Sequence, residues 1–329
     1  DGSNTFLGGT GDNTLIVEAD DLIADISGQI VDFQTIKIVQ DPASNANVDA
    51  VDEVAVVLNA PNIVGTGETL TIDATDLRAN DRAVIDVTAA LTASPTSSPA
   101  VTGFMLNITG GSGDDFFFGS RGDDVINAGN GDDYVFGGRG SDAINVGGTG
   151  NNVLAYAGTE DSRGTSLDRV SGFTVSGPDA DVINIDTSFL SDLGAVGNFR
   201  FLGNVTGFQN AQGAVRSQAE RAADSDPGAA LEAVFDIADG SLWFDTNDNG
   251  LLDGTDLRLI LEGVTGLQFN AINRTSSNIS VNSVVQTTLS IDYVVDTTAN
   301  GSNNIFADGT DLGISFFTNL EDSNVIDFL

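Results

Sequence analysis

The chain has 329 residues and a net charge of −36, from 12 Lys and Arg residues against 48 Asp and Glu residues. Such a charge argues against nucleic acid and against an anionic membrane surface as partners. Cysteine and histidine are both absent, which excludes stabilising disulfides, histidine-dependent zinc proteases, the Ser-His-Asp triad and the Cys-His pair.

Catalysis by carboxylates alone, as in glycosidases, stays open, but no catalytic pair stands out among so many acidic residues. We therefore expect the chain not to be an enzyme. No apolar run approaches the length of a membrane helix and no basic, apolar leader is present, so membrane insertion is not expected. The sequence begins with Asp1 rather than Met, which indicates a processed product or part of a longer protein.

Residues 1–109 read as β structure and are expected to form a β-helical stack. Residues 1–17 contain two weak copies of a nonapeptide that recurs further along, with Asn4 and Asn13 where the later copies carry a carboxylate. We expect structural turns there rather than metal sites. Beyond them, short β-branched runs set between Asn, Asp, Gly and Pro predict strands. These runs are QTIKIV (34–39), EVAVVLNA (53–60), TLTIDA (69–74), AVIDVTA (83–89) and FMLNIT (104–109).

A tandem nonapeptide of the form G-G-x-G-x-D-x-U-x, in which U is apolar, fills residues 110–155. Its first six positions predict a turn, since Gly reaches backbone conformations closed to other residues, and the last three predict a short strand. Two units complete one coil of a parallel β-roll, with the eighth position pointing into the core. The units are GGSGDDFFF (110–118), GSRGDDVIN (119–127), AGNGDDYVF (128–136), GGRGSDAIN (137–145) and, after the inserted Val146, GGTGNNVLA (147–155).

The sixth position of each unit supplies a candidate metal ligand. Residues two units apart stack on the same edge of a β-roll, which places Asp115 over Asp133 and Asp124 over Asp142. Two stacked carboxylates with carbonyl oxygens of the turns make an all-oxygen site, which suits calcium better than a transition metal. Turns without an ion are the alternative, but stacked carboxylates without a cation would repel one another.

We expect about three calcium ions in this region, one for each stacked pair and a third between Asp133 and Asn152. The third is expected to be the weakest, because Asn152 is neutral and Val146 shifts its register by one residue. The predicted ligands are the sixth-position side chains together with the first and third positions of the turns. They are Gly110, Ser112, Asp115, Gly119, Arg121, Asp124, Ala128, Asn130, Asp133, Gly137, Arg139, Asp142 and Asn152.

These units resemble the calcium-binding nonapeptides of the RTX, or hemolysin-type, family. The resemblance implies an all-β fold, a parallel β-roll or β-helix with flanking β-rich segments, and Ca²⁺ as the cofactor. VDFQTIKIV (31–39) is similar to a strand of RTX-type bacterial surface-layer proteins, and DRVSGFTVSGPDADVINID (168–186) is similar to the segment after the roll in serralysin-type secreted proteins. Proteins of this kind leave the cell unfolded and fold on extracellular calcium, because the free energy of calcium binding becomes folding free energy.

DTNDNGLLDGTD (245–256) resembles an EF-hand-like or dockerin-type calcium loop. Gly250 stands at position 6, where such a loop turns sharply. The flanks SLWF and LRLIL read as strands, so we expect a calcium-pinned β-hairpin within a post-roll β domain over 156–274. An Asx-rich turn without metal is the alternative. The predicted ligands are Asp245, Asn247, Asn249, Leu251 through its carbonyl, Asp253 and Asp256.

The rest of the chain carries two weaker signals. Residues 218–233 form the one stretch with helical character, interrupted by Pro227. Residues 275–329 form a C-terminal β segment that ends in LEDSNVIDFL (320–329). This ending is similar to the uncleaved C-terminal signals of type I secretion substrates, and a plain terminal strand is the alternative.

Three functions fit this sequence. The first is a calcium-binding, secreted structural protein of the bacterial cell surface, such as a surface-layer, matrix or filament subunit. It would fold and self-associate into an ordered assembly on extracellular calcium, with a cell-surface glycan as a further candidate partner. The second is the C-terminal export and folding module of an RTX secreted enzyme, such as a protease or lipase. An adhesin segment is a third reading.

Overall fold

The computed structural model describes residues 6–7, 10–18, 30–31, 33–40, 53–57, 68–86, 105–186, 198–217, 230–268, 271–275, 293–296 and 304–307. The elements within them are β1 (Phe6–Leu7), β2 (Thr14–Glu18), β3 (Ile30–Val31), β4 (Thr35–Val39), β5 (Glu53–Val57), β6 (Thr69–Asp73), β7 (Arg82–Asp86), β8 (Met105–Thr109), β9 (Phe116–Phe118), β10 (Val125–Asn127), β11 (Tyr134–Phe136), β12 (Ala143–Asn145), β13 (Val153–Tyr156), β14 (Arg169–Ser171), β15 (Val182–Asp186), β16 (Asn198–Val205), α1 (Phe208–Ala214), β17 (Ala230–Asp236), β18 (Ser241–Asp245), β19 (Leu257–Leu261), β20 (Ile272–Thr275), β21 (Tyr293–Asp296) and β22 (Asn304–Ala307).

Most of these strands belong to two sheets that the chain visits alternately. The even-numbered strands from β2 to β14 lie side by side in one sheet, and the odd-numbered strands from β5 to β15 lie side by side in the other. Neighbouring strands in both series are parallel. A chain that alternates between two parallel sheets is a parallel β-roll, so the expected fold class is confirmed.

The core is filled by columns of apolar side chains that repeat from coil to coil. Ile126 is in register with Ile144 in the first sheet, while Phe117, Val135 and Leu154 follow one another in the second. Each of these five side chains is at most 2% exposed, which confirms that the eighth position of the nonapeptide points inward. Burying one such side chain contributes about 1.5–3 kcal/mol.

The first sheet continues beyond the repeats into an antiparallel segment. β19 pairs in parallel with β14, and β18 pairs antiparallel with β19 and with β17. The strands β18 and β19 therefore form a hairpin around residues 245–256, as the flanking sequences predict. This hairpin shares a sheet with the roll, because Arg169 of β14 aligns with Ile260 of β19.

The helix predicted at 218–233 is wrong where the structure describes that segment. Residues 230–233 belong to β17, and residues 218–229 lie outside the described residues. Leu231, Ala233 and Phe235 pack in the main core, whereas Val234 packs in a separate cluster, and side chains that alternate between two faces have the period of a strand. Pairing with the strands on either side of β17 outweighs the local helix preference of LEA.

The described part of the chain contains one helix, α1, which the sequence analysis did not anticipate. It has seven residues, and no described helix is long and apolar enough to cross a membrane. Ala211 and Val215 pack with Trp243 and Leu252 in a small cluster beside the hairpin. The candidate secretion signal at 320–329 and Asn4 lie outside the described residues.

Candidate calcium site

The turns of the repeats bring backbone and carboxylate oxygens close together. A Cβ atom built on Gly110 would lie 2.0 Å from the carbonyl oxygen of Ala128 in the next coil and 2.7 Å from Oδ2 of Asp115. A Cβ on Gly119 would likewise lie 2.0 Å from the carbonyl oxygen of Gly137. Glycine is needed at these first positions because the space that a side chain would fill is lined by oxygen atoms.

The sixth-position side chains form two hydrogen-bonded ladders along the roll. In the first ladder, the amide of Asp115 donates to Oδ1 of Asp133 at 2.9 Å, and the amide of Asp133 donates to Oδ1 of Asn152 at 3.0 Å. In the second ladder, the amide of Asp124 donates to Oδ1 of Asp142 at 2.9 Å. The structure thus brings together each pair that the spacing of the nonapeptides places on one edge.

Both ladders continue past the repeats to residues that the sequence analysis missed. The amide of Asp142 donates to Oδ1 of Asp168 at 3.0 Å, and the amide of Asn152 donates to Oδ1 of Asp181 at 2.8 Å. Each of these aspartates immediately precedes a strand, as a sixth position does. A signal was available for Asp181, because DVIN at 181–184 repeats DVIN at 124–127.

The inserted Val146 does not remove Asn152 from the first ladder. Val146 is buried, its amide donates to the carbonyl of Ser171 at 3.0 Å, and its carbonyl accepts from Nδ2 of Asn152 at 3.0 Å. The insertion shifts the pairing by one residue, as expected, since Asn152 follows Asp133 by 19 positions rather than 18, but the turn absorbs the extra residue and Asn152 stays in the ladder.

The Oδ2 atoms of the ladder aspartates have hydrogen-bond donors in one coil of the roll and, among the described residues, none in the next. Oδ2 of Asp115 accepts from the amide of Gly111 at 2.8 Å, and Oδ2 of Asp124 accepts from the amide of Ser120 at 2.6 Å. Within the described part of the chain, Oδ2 of Asp133 and Oδ2 of Asp142 are buried without a hydrogen-bond partner. A buried carboxylate oxygen without a partner is costly unless a cation or a proton satisfies it, so this donor set fits calcium.

The electrostatics of the ladders also favour a cation. Burial raises the pKa of Asp115 and of Asp124 to about 7, and it raises the pKa of Asp133 to about 9. Burial and then the charges of Asp168 and Asp124 raise the pKa of Asp142 to about 10. A bound calcium ion supplies the positive charge that allows these carboxylates to stay ionised inside the folded roll.

The backbone is expected to supply the remaining oxygen ligands. In the described residues, no three His, Cys, Asp or Glu side chains converge closely enough to hold a metal by themselves. The third-position residues lie in the turns, where the amides of Asn130 and Arg139 donate to the carbonyls of Gly111 and Ser120 in the preceding coil at 3.2 and 3.1 Å. That carbonyls of the first and third positions are calcium ligands stays a prediction. The residues concerned are Gly110, Ser112, Gly119, Arg121, Ala128, Asn130, Gly137 and Arg139.

The hairpin loop at 245–256 brings two of its predicted ligands into the protein interior. Asp245 and Asp256 are both 0% exposed. Burial, with the charge of Asp256 adding to it, raises the pKa of Asp245 to about 7, and burial also raises the pKa of Asp256. Gly250 has a φ of 77°, as expected for the sharp turn at position 6.

The other predicted loop ligands lie on the exposed rim of the loop. Asn247 and Asn249 accept backbone amides within the loop through their side chains, at 3.1 and 2.7 Å. Asp253 accepts from the amide and the hydroxyl of Thr255, which lowers the pKa of Asp253. Leu251 is 55% exposed. The structure therefore buries Asp245 and Asp256 within reach of each other's charge. A calcium ion in this loop stays a prediction.

Comparison with known protein families finds four copies of the RTX calcium-binding nonapeptide repeat, over residues 1–21 and 109–144. The matched residues include the weak copies near the start of the chain as well as the contiguous units of the roll. No curated protein sequence matches the chain. RTX nonapeptides bind calcium, and the two ladders hold the buried carboxylates that this requires. The chain therefore contains RTX calcium-binding nonapeptide repeats, and calcium is the cofactor of these repeats.

Proposed function

We propose that this chain is a non-enzymatic structural protein of a bacterial cell surface, secreted through a type I pathway and assembled into a layer, matrix or filament on extracellular calcium. The observation that carries this proposal is the open end of the roll at β2. β2 pairs with β4 on one side, and among the described strands none pairs with its other side. An unpaired strand edge can accept a strand from a second copy.

The charge of the chain connects such an assembly to calcium. Copies that each carry a net charge of −36 repel one another. Calcium bound in the ladders lowers that charge and also folds the roll that presents the β2 edge. Assembly is therefore expected to require calcium at two levels, for folding and for the approach of a second copy.

The same carboxylates support export of the unfolded chain. Inside a cell, where free calcium is scarce, buried carboxylates with no cation oppose folding. Extracellular calcium modules typically have dissociation constants of about 10⁻⁴–10⁻³ M. Folding therefore follows export, because millimolar calcium is met only outside the cell.

Electron microscopy of the purified chain, with millimolar calcium and then with chelator, tests the proposal. Ordered sheets or filaments are expected with calcium and dispersed chains with chelator. Ile16 of β2 and Val125 of β10 are 63% and 50% exposed on the first sheet, so both positions tolerate a charge. Ile16→Lys should abolish assembly while the matched control Val125→Lys retains it. Folded, dispersed particles of the parent chain in calcium would overturn the proposal.

The second candidate, the export and folding module of a secreted enzyme, is favoured by one observation. Residues 168–186, which resemble the segment after the roll in serralysin-type proteins, supply β14 and β15 and extend both sheets beyond the repeats. A module of this kind would fold on calcium and stay monomeric. Dispersed, calcium-folded particles in the microscope would therefore support this candidate.

A further inference from the structure

The second ladder extends beyond the residues that match the repeat family. The match ends at residue 144, whereas the ladder continues through the hydrogen bond from the amide of Asp142 to Oδ1 of Asp168. These two residues are separated by 26 positions, so a loop rather than the period of the nonapeptide brings them together.

At the equivalent position in the first ladder, one of the two side chains is an amide that donates a hydrogen bond to the other. Nδ2 of Asn152 donates to Oδ1 of Asp181 at 3.0 Å, and Oδ2 of Asp181 accepts from the amide of Thr174 at 2.6 Å. Both oxygens of Asp181 therefore have hydrogen-bond donors, and Asn152 places a neutral amide where the second ladder has the carboxylate of Asp142.

The step from Asp142 to Asp168 has two carboxylates and no amide side chain between them. Asp142 is 1% exposed and Asp168 is 0% exposed. Oδ2 of Asp142 is buried without a hydrogen-bond partner in the described part of the chain, while the carboxylate of Asp168 has the hydroxyl of Tyr156 beside it. Asp161, which is 7% exposed, adds a third negative charge close to Asp168. Two buried carboxylates, one of whose oxygens (Oδ2 of Asp142) has no donor among the described residues, need a cation to offset their charge when a third carboxylate lies beside them.

We propose that Asp142 and Asp168 hold a calcium ion that lies outside the nonapeptide repeats, at the junction of the roll and the post-roll hairpin. Oxygen ligands and a strongly negative surrounding select a hard divalent cation such as calcium. The proposal does not depend on assembly, since an ion at this junction would bind equally to a monomeric module.

The surroundings of Asp168 give this ion a structural task. The carbonyl of Asp168 accepts from the amide of Ile260 in β19 at 2.9 Å, and the amide of Asp168 donates to Oγ of Ser162 at 2.9 Å. The carbonyl of Ser162 in turn accepts from the amide of Arg258 in β19 at 2.9 Å. Since Asp142 belongs to the roll and Asp168 is tied to β19, the ion fastens the hairpin to the roll.

Counting bound ions tests the proposal directly. Asp168→Asn retains an oxygen that can accept from the amide of Asp142 but removes the charge. Equilibrium dialysis against radiolabelled calcium is expected to show one ion fewer per chain for Asp168→Asn than for the parent chain. The matched control Asp179→Asn removes an exposed carboxylate from the same segment and should leave the count unchanged. An equal count for Asp168→Asn and the parent would overturn the proposal.

Terbium luminescence gives a second readout that does not depend on the folding of Asp168→Asn. The hydroxyl of Tyr156 lies beside the carboxylate of Asp168, so excitation of Tyr156 should sensitise terbium bound there. Tyr156→Phe is expected to lose part of the sensitised emission while the count of bound calcium ions stays the same. Emission identical to that of the parent chain would count against an ion at this position.

Discussion

The backbone N–H of Asp115 donates to Oδ1 of Asp133 at 2.9 Å, although 18 positions separate the two residues in the chain. The same contact joins Asp124 to Asp142 on the other edge of the roll. The sixth position of the repeat thus has two separable roles. Its Oδ1 atom ties successive coils together, whereas the second oxygen and the negative charge serve the cation. Replacing aspartate by asparagine retains the first role and removes the second.

Asp142→Asn is therefore expected to weaken calcium-dependent folding without breaking the ladder. Loss of one charged ligand should raise the calcium concentration at half-folding by roughly tenfold, which corresponds to about 1.4 kcal/mol of binding free energy. Circular dichroism during a calcium titration measures this midpoint. Asp123→Asn, in the equivalent turn of the preceding coil but exposed to solvent, is the control and should shift the midpoint by less than about twofold. Equal shifts for the two variants would contradict the assignment of Asp142 as a ligand.

The pH dependence of the calcium-free chain has a defined sign. Burial raises the pKa of Asp133 to about 9 and the pKa of Asp142 to about 10 in the folded roll, whereas an unfolded Asp has a pKa of about 3.9. Between these limits the folded state binds more protons than the unfolded state, so the free energy of unfolding falls as the pH rises. In the presence of chelator, the β-sheet signal of the chain in circular dichroism should be greatest near pH 5 and decline toward pH 8.

Calcium and protons compete for the same oxygens, so calcium affinity is expected to rise over the same pH range. Calorimetric titrations in buffers of different ionisation enthalpy should show protons released as calcium binds. Calcium binding that releases no protons at pH 7, or a calcium-free fold that gains stability as the pH rises, would contradict the raised pKa values of the ladder carboxylates.

A contact in the roll could be predicted from the sequence where the period of the nonapeptide sets the spacing of its two residues. Spacing alone placed Asp115 over Asp133 and pointed Phe117 and Ile126 into the core, because each nonapeptide contains its own turn and strand. Position along the chain then fixes position in space. The cofactor followed from the same period, since stacked carboxylates within glycine turns leave calcium as the ion of choice.

Contacts made through loops were not predictable in this way. Asp168 reaches the second ladder through the segment after β13, whose path depends on hydrogen bonds such as those of Ser162 with Arg258 rather than on a local pattern. The helix at 208–214 was missed for a similar reason. It lacks a side-chain cap and charged residues in its first and last turns, so packing against the hairpin rather than local sequence holds it in place.

Asn152→Asp is expected to create a metal site in the first ladder, at the contact between residue 152 and Asp181. The change removes the Nδ2 group that donates to Val146 and Asp181 and places a third carboxylate in line with Asp133 and Asp181. Without calcium the roll should be less stable, because like charges are then buried together. With calcium, equilibrium dialysis should show one additional ion per chain.

Asn107→Asp is the control for Asn152→Asp, because it adds the same charge on the exposed face of β8. It should change neither the ion count nor the calcium midpoint appreciably. An Asn152→Asp variant that binds the parent number of ions would mean that the first ladder cannot accommodate a further cation at this coil.

Gln212 is expected to hold the hairpin loop in its present shape. Its Nε2 donates to the carbonyl of Gly250 at 2.9 Å, and its Oε1 accepts from the amide of Leu252 at 2.9 Å. Gln212→Ala should cost about 1–2 kcal/mol locally, because it removes two partly buried hydrogen bonds. Hydrogen exchange of peptides covering 245–256 should accelerate accordingly. Gln209→Ala, an exposed glutamine of the same helix, is the matched control. Equal exchange in both variants would show that α1 does not support the loop through Gln212.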